Sequence, residues 1–387
     1  MGMKVLIITN HYLDNKAGGT FASLAYINAF ASLYQDCTVI YPSRGTNVSH
    51  LLLPGVKTIP CLDNRLKWQK GAEIYLGKLH RFGKVAIAAL KEIKPDIVVF
   101  DTSIVSCGLV KQAKKSGIFT ITIHHNVEYD YLRDNQPSLI YRYPYRLTLS
   151  GTEATAVKFS DLNLTLTLSD SVRLAALYAP QNIHNIKTSG VFEMLHQSLE
   201  TTVPNLPEKR EGIRSFIITG NLSFPQSDLS TCEFIKNLWP VLKSQIKGCN
   251  LVIAGSNPSS ELIRLTSGKE DLQLVANPVN INEILAGCDC YLCPVDRGSG
   301  FKFRILDGLR RGMPVIAHEV SARGYDQLII TGNLLVYNSE TSFKNAVQKL
   351  IQSKFDNYGI QNLYKRSFSF EHGLSRLEIL LKEAKLI

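Results

Sequence analysis

The chain has no apolar run near the ~20 residues that cross a bilayer; runs such as VAIAAL and IVVF are among its longest. A membrane-spanning helix is therefore not expected. The start, MGMKVLIITNHY, turns polar after one short apolar run and has no small-residue cleavage site, so it reads as a first strand and not as a signal peptide. The eight cysteines lie mostly inside apolar segments with no secretory segment before them, which argues against a disulfide framework and for a cytoplasmic protein. There is no low-complexity tract and no short-period repeat, and the first glycine pair does not match the G-x-G-x-x-G dinucleotide fingerprint. Acidic residues are scarce in one half. Residues 1–190 carry 21 Lys and Arg against 13 Asp and Glu, a net +8 of the chain's +10, which favours an acidic partner. These cations are not joined to a recognisable base-reading motif, so nucleic-acid binding is the weakest reading.

What is present is a folded chain of 387 residues, 45% hydrophobic and 20% charged, long enough for two domains with separate cores. Short apolar runs alternate with amphipathic stretches: KVLIITN, FASLAYINAFASLY, CTVIYP, DIVVFD, KKSGIFTITIHH and DLNLTLTLSD. This is the rhythm of a βαβ sheet buried on both faces. It restarts with RSFIITGNLSFPQS, CNLVIAGSNP, LQLVANPV, CYLCPV, PVIAH and NLLVYN. Between the two series, the polar stretch that begins IKTSGVFEML and ends PNLPEKREG reads as a connection. The expected architecture is α/β, with two Rossmann-like domains facing a cleft. Their expected bounds are 1–190 and 213–368, with a linker over 191–212. Ligands of such sheets sit at the carboxyl ends of the strands.

The densest chemical signal is DRGSGFKFRILDGLRRGMPVIAH, residues 296–318. Phe301 and Phe303 alternate with Lys302 and Arg304, which in an extended entry puts both cations opposite the rings. Ile305, Leu306 and Leu309 then share a helical face, with Asp307, Arg310 and Arg311 on the other. Gly312 suits the left-handed position after the helix, and Pro314 prevents its continuation. Gly298 and Gly300 allow close backbone approach. Cations beside a helix start oppose its dipole unless an anion sits between them, so a phosphate site is preferred over a turn with solvated cations. Asp307 offers acceptors for sugar hydroxyls. Gly18 and Gly19 precede a helix after the first strand and repeat the phosphate logic, against the alternative of a plain loop.

TITIHHNVEYD ends a strand in His124, His125, Asn126 and Glu128, at an edge where chemistry is expected. His125 suits orienting a sugar hydroxyl or acid–base work, against the alternative of a histidine that only satisfies backbone groups. No second ligand cluster with metal spacing accompanies it, so no metal is expected. Cys288, Cys290 and Cys293 read as buried thiols, the first two on one strand face and the third on the other. Residues 64–94 hold eight Lys and Arg with Trp68 and Tyr75, and residues 140–147 add more Tyr and Arg. A basic surface for anionic lipid and a solvated helix face both remain open.

Together, ITGNLSFPQS, CYLCPVDRGSGFKFRILDGLRRGMPVIA and HHNVE resemble the GT-B glycosyltransferases, most closely the large retaining family 4, over nearly the whole chain. The resemblance implies a nucleoside-diphosphate sugar as donor and no cofactor or active-site metal. It implies a glycan or lipid-linked acceptor and a last helix, 369–387, that crosses back to the first domain; the basic first half suits a lipid-diphosphate acceptor and contact with anionic membrane at its cytoplasmic face. Lys302 and Arg304 would hold the diphosphate, Asp307 the ribose, and Gly18 and Gly19 the phosphate or sugar. His125 would contact the transferred sugar, and Asn221, Gly298, Ser299, Gly300 and Phe301 would complete the donor site. Two positions depart from the family's E-x7-E motif, with Ser299 and Asp307 in place of the two Glu residues. The Lys or Arg often found after the GN strand is missing from NLSFPQSDLS. These departures motivate a second reading, a non-catalytic partner that steadies another transferase; a sugar-nucleotide epimerase has no supporting acid–base pair.

Overall fold

The structure, a computed structural model, describes residues 2–15, 18–62, 83–106, 108–135, 139–178, 183–194, 212–298 and 300–387. The chain divides into two units, Met1–Ser198 with Ser369–Ile387, and Leu199–Phe368.

The first unit is a parallel sheet of seven strands: β1 (Lys4–Thr9), β2 (Asp36–Ser43), β3 (Lys57–Leu62), β4 (Ile97–Asp101), β5 (Phe119–His124), β6 (Leu162–Thr165) and β7 (Ile186–Thr188). Their spatial order is β3-β2-β1-β4-β5-β6-β7. Val5, Leu6, Ile7 and Ile8 are each at most 1% exposed, as expected of a strand covered by helices on both faces. Two edge strands fall outside the sequence expectation. β3 alternates exposed and half-buried residues and contains Pro60, which an edge strand tolerates because one side needs no ladder donor. β7 has only three residues, too few for a periodic signal, and takes IKT out of the expected connection. The helix Phe370–Glu383 belongs to this unit and packs on the helix Gly18–Leu33. Its Gly373 lets Phe192 lie against the backbone, since an added Cβ would overlap that ring.

The second unit repeats the plan with β8 (Ser215–Asn221), β9 (Asn250–Ser256), β10 (Leu272–Ala276), β11 (Cys290–Cys293), β12 (Val315–His318) and β13 (Leu334–Tyr337), all parallel, in the order β10-β9-β8-β11-β12-β13. Alternation along β8 divides two cores. Phe216 and Ile218 pack with Trp239 and Phe343, while Ile217 packs with Tyr291, Tyr325 and Tyr364. After β8 the chain runs as the helix Pro225–Glu233, a π-helical turn Phe234–Leu238, and the helix Trp239–Gln245. Pro240 has no N–H for the usual bond to the preceding turn, which accounts for the widening.

In both sheets the order reverses beside the first strand of the series, between β1 and β4 and between β8 and β11. Loops leaving such a point on opposite sides open a crevice at the carboxyl edge. Each candidate site below lies at one of these points.

Candidate functional site

In the second unit, the loop after β11 returns toward the end of β8. Gly220 has φ +148°, and an added Cβ would lie 2.6 Å from an Arg304 guanidinium nitrogen. That guanidinium donates to the Ser227 hydroxyl at 2.9 Å, within the first turn of the helix Pro225–Glu233. Pro225 starts this helix, and Phe224 before it supplies no side-chain cap. A cation therefore stands at a helix start whose N–H groups carry partial positive charge, an arrangement that favours an anion between them. Arg304 thereby supplies charge beside the loop in which the sequence lacks a cation.

Lys302 lies in the same loop, its Nζ 3.2 Å from the Gly300 carbonyl. Burial, reinforced by Arg304 and Arg323, lowers its ammonium to about 8. Gly298 and Gly300 take φ +88° and +78°, so both turns require the left-handed region. The Gln226 amide fills the space a Cβ on Gly298 would take. Ser299 lies outside the described residues. Phe301 stacks on Tyr325 with centroids 4.4 Å apart and touches Phe303 and Phe368, so its ring anchors the loop. Asn221 accepts from the Ser223 amide at 3.0 Å and its hydroxyl at 2.6 Å, and so holds the turn after β8.

The short helix Ile305–Leu309 buries Ile305, Leu306 and Leu309, as its pattern requires. Asp307 pairs through Oδ1 with Arg310 at 2.7 Å. Arg311, on the face opposite the apolar one, is nevertheless buried, its guanidinium 2.8 Å from the Asn282 side-chain oxygen. Arg297 is committed to Asp296 and Glu233, at 2.7 Å each. The cysteines are free thiols among the described residues. Cys290 faces one core, and Cys288, which precedes the strand, joins Cys293 on the other; this corrects the expected pairing of Cys288 with Cys290.

In the first unit, β4 pairs with β1 so that Asp101 stands level with Thr9. The His125 Nε2 lies 2.7 Å from Asp101 Oδ1, with side chains 4% and 1% exposed. Burial alone would raise the Asp101 carboxyl, but the charge of His125 and its hydrogen bond, with His11 nearby, outweigh it and hold the group below the usual carboxylate range. Thr102 follows at φ +95° with its hydroxyl buried and unpartnered, a strained corner at the strand end. Behind His125, His124 bonds Asn163 at 2.9 Å and is lowered to about 4 by burial. At Gly19 an added Cβ would lie 2.7 Å from His11 Nε2, a packing constraint beyond the expected phosphate approach. Sequence reasoning missed His11 and Asp101. The available signal was an acid closing the otherwise apolar strand IVVFD.

Glu128 and Glu153 form a second buried group. Glu153 accepts from the Glu128 amide at 2.7 Å and the Tyr178 hydroxyl at 2.8 Å. Burial, then the mutual charge, raises Glu128 to about 8; burial raises Glu153 to about 7. Unfolded carboxyls ionise near ~4.3, so between that pH and about 8 the folded chain holds more protons and loses stability as pH rises. Glu128→Gln should match the wild type in urea midpoint at pH 5 and exceed it at pH 8. Equal midpoints at both values would show that the pair is not strained.

The basic stretch 64–94 falls largely outside the described residues. Its described end, the helix Gly83–Ile93, buries Ala86, Ala89 and Leu90 and exposes Lys84 and Lys91, the pattern of a solvated face. The side chains of 140–146 lie outside the described residues. Among the described residues, no helix is long and apolar enough to cross a membrane, and no three His, Cys, Asp or Glu side chains are grouped to hold a metal ion.

Residues 214–353, within the second unit, match the family model described as glycosyl transferases group 1. No curated protein matches the chain by sequence. Among solved structures, the lipopolysaccharide outer core galactosyltransferase WaaB in its apo form is 15% identical, with TM-score 0.68, covering 99% of this chain and 100% of its own. Anabaena HepE in complex with UDP is 13% identical, with TM-score 0.64 and coverage of 98% and 100%. Sucrose-phosphate synthase from Thermosynechococcus elongatus is 11% identical, with TM-score 0.69 and coverage of 98% and 99%. The chain has the GT-B fold of these transferases, with the C-terminal helix in the first unit as the sequence led us to expect.

Proposed function

We propose that this protein is a glycosyltransferase that moves a sugar from a nucleoside-diphosphate sugar to a glycan or lipid-diphosphate-linked acceptor, with retention of configuration. The observation that carries the reading is the meeting of Arg304 with the uncapped start of the helix Pro225–Glu233 at the end of β8, with Lys302 in the same loop as Arg304. These groups suit the two phosphates of a leaving nucleoside diphosphate, whose negative charge grows as the bond from sugar C1 to phosphate oxygen breaks. The new bond from C1 to the acceptor oxygen forms on the same face, and the acceptor's proton passes to the departing diphosphate. Asp307, held through one oxygen by Arg310, has its other oxygen for the ribose hydroxyls. The binding of UDP by HepE is consistent with such a donor. The basic first half suits an acidic acceptor at the cytoplasmic face of a membrane, in surface polysaccharide or glycoconjugate synthesis.

The Asp307–Arg310 pair also supports the second reading, a non-catalytic partner of another transferase, because it engages the carboxylate that would otherwise be given wholly to the ligand. A thermal-shift and calorimetric screen against UDP, GDP, ADP, CMP and their sugars, with and without chelator, separates the two. Saturable binding of one nucleotide, indifferent to chelator, is the result expected of the transferase. Binding of none would favour the partner.

A further inference from the structure

His125, the histidine singled out by its motif, is not the accessible one. Its Nε2 is committed to Asp101, and its Nδ1 is fully buried with no hydrogen-bond partner. His11, from the loop after β1, lies with its ring centroid 5.1 Å from that of His125, its side chain 29% exposed. The His11 Nδ1 is 2.7 Å from the Ser23 hydroxyl, which itself donates to the Gly19 carbonyl at 3.0 Å. With its single proton used there, Ser23 can only accept, so His11 carries its proton on Nδ1 and its lone pair on Nε2. That lone pair has no hydrogen-bond partner among the described residues, and glycine at position 19 keeps it uncovered.

We propose that His11 is the catalytic histidine of the first unit, accepting the hydrogen bond of a substrate hydroxyl at Nε2. Asp101 and His125 are the buried positioning pair behind it. Asp101 Oδ2 lies 3.9 Å from His11 Nδ1, near enough to stabilise the ring electrostatically whenever Nε2 takes a proton. Among the described residues, the charged or titratable groups seen against His11 are Asp101 from β4 and His125 from the end of β5. The sugar hydroxyl as the partner of Nε2 rests on the transferase reading; the division of roles between the rings does not.

The test treats the whole protein with diethyl pyrocarbonate across pH 5.5–8 and maps the modified histidines by mass spectrometry. His11 should react at least tenfold faster than His125. Equal rates at the two rings would overturn the proposal. Long-range proton–nitrogen spectra of the wild type give a check that needs no variant: His11 should be the Nδ1–H tautomer, and the Nε2–H form would overturn the assignment. With the donor identified by the nucleotide screen, His11→Gln should lower kcat at least tenfold and leave nucleotide Kd within twofold; unchanged kcat overturns the role. Failure of every nucleotide to bind would instead count against the transferase reading, while modification and tautomer would still decide which ring is exposed and oriented.

Discussion

Replacing Lys302 by Ala is expected to weaken nucleoside diphosphate binding by roughly 2–3 kcal/mol, about 30- to 150-fold in Kd, the scale of a hydrogen bond to a charged group. The fold should survive, because the aromatic stack of Phe301, Tyr325 and Phe368 anchors the loop independently of the ammonium. Isothermal titration of a folded Lys302→Ala protein decides it, and wild-type affinity would remove the phosphate assignment. The charge state adds a sharper test. Burial holds Lys302 at about 8 in the free protein, and a bound diphosphate favours the charged form, so binding must take up a proton above that pH. Affinity should therefore fall as pH rises from 7.5 to 9.5. Lys302→Arg, whose guanidinium stays protonated, should lose that slope even if its geometry weakens binding.

Gly312→Ala should produce the largest loss of stability. Gly312 ends the short helix with φ +69°, and an added Cβ would overlap the Asn357 carbonyl oxygen and lie 2.9 Å from its carbon. Both obstacles are backbone, so no rotamer can relieve them. We expect about 3 kcal/mol or more, a drop of about 6–12 °C in the melting of the second unit. Gly332 is the matched control: its φ is +73°, with nothing within 4 Å of an added Cβ. Gly332→Ala should lose only the left-handed penalty, about 1–2 kcal/mol. Equal losses in the two variants would mean that the Asn357 contact carries no weight. The clash also reaches the site, because Gln361, on the helix that begins at Asn357, donates to the Arg310 carbonyl at 2.9 Å, and Arg310 holds Asp307.

The sequence was informative where structure follows from near neighbours. Short apolar runs between amphipathic stretches predict most strands of both sheets, and the period change at Ile305, with Gly312 and Pro314, predicts the helix and its stop. Edge strands escaped: β3 is half solvated and carries a proline, and β7 spans three residues. The loop after β11 was legible as residue types but not as geometry. GSGFKFR announces two cations before a helix, yet nothing local says that Arg304 lies over Gly220 and reaches Ser227, 77 residues away.

The histidines make the same point more strongly. HHNVE draws attention to His125 because polar residues cluster there, but clustering along the chain carries no information about burial. By itself, the sequence determined the alternation that yields two parallel α/β sheets and the residue types at their carboxyl edges. Only the tertiary structure decided which of those residues meet. Hydrophobic periodicity is a property of neighbours along the chain, whereas β1 and β4 lie side by side because of strand order. That order brings His11, Asp101 and His125 together and leaves one ring open and the other enclosed.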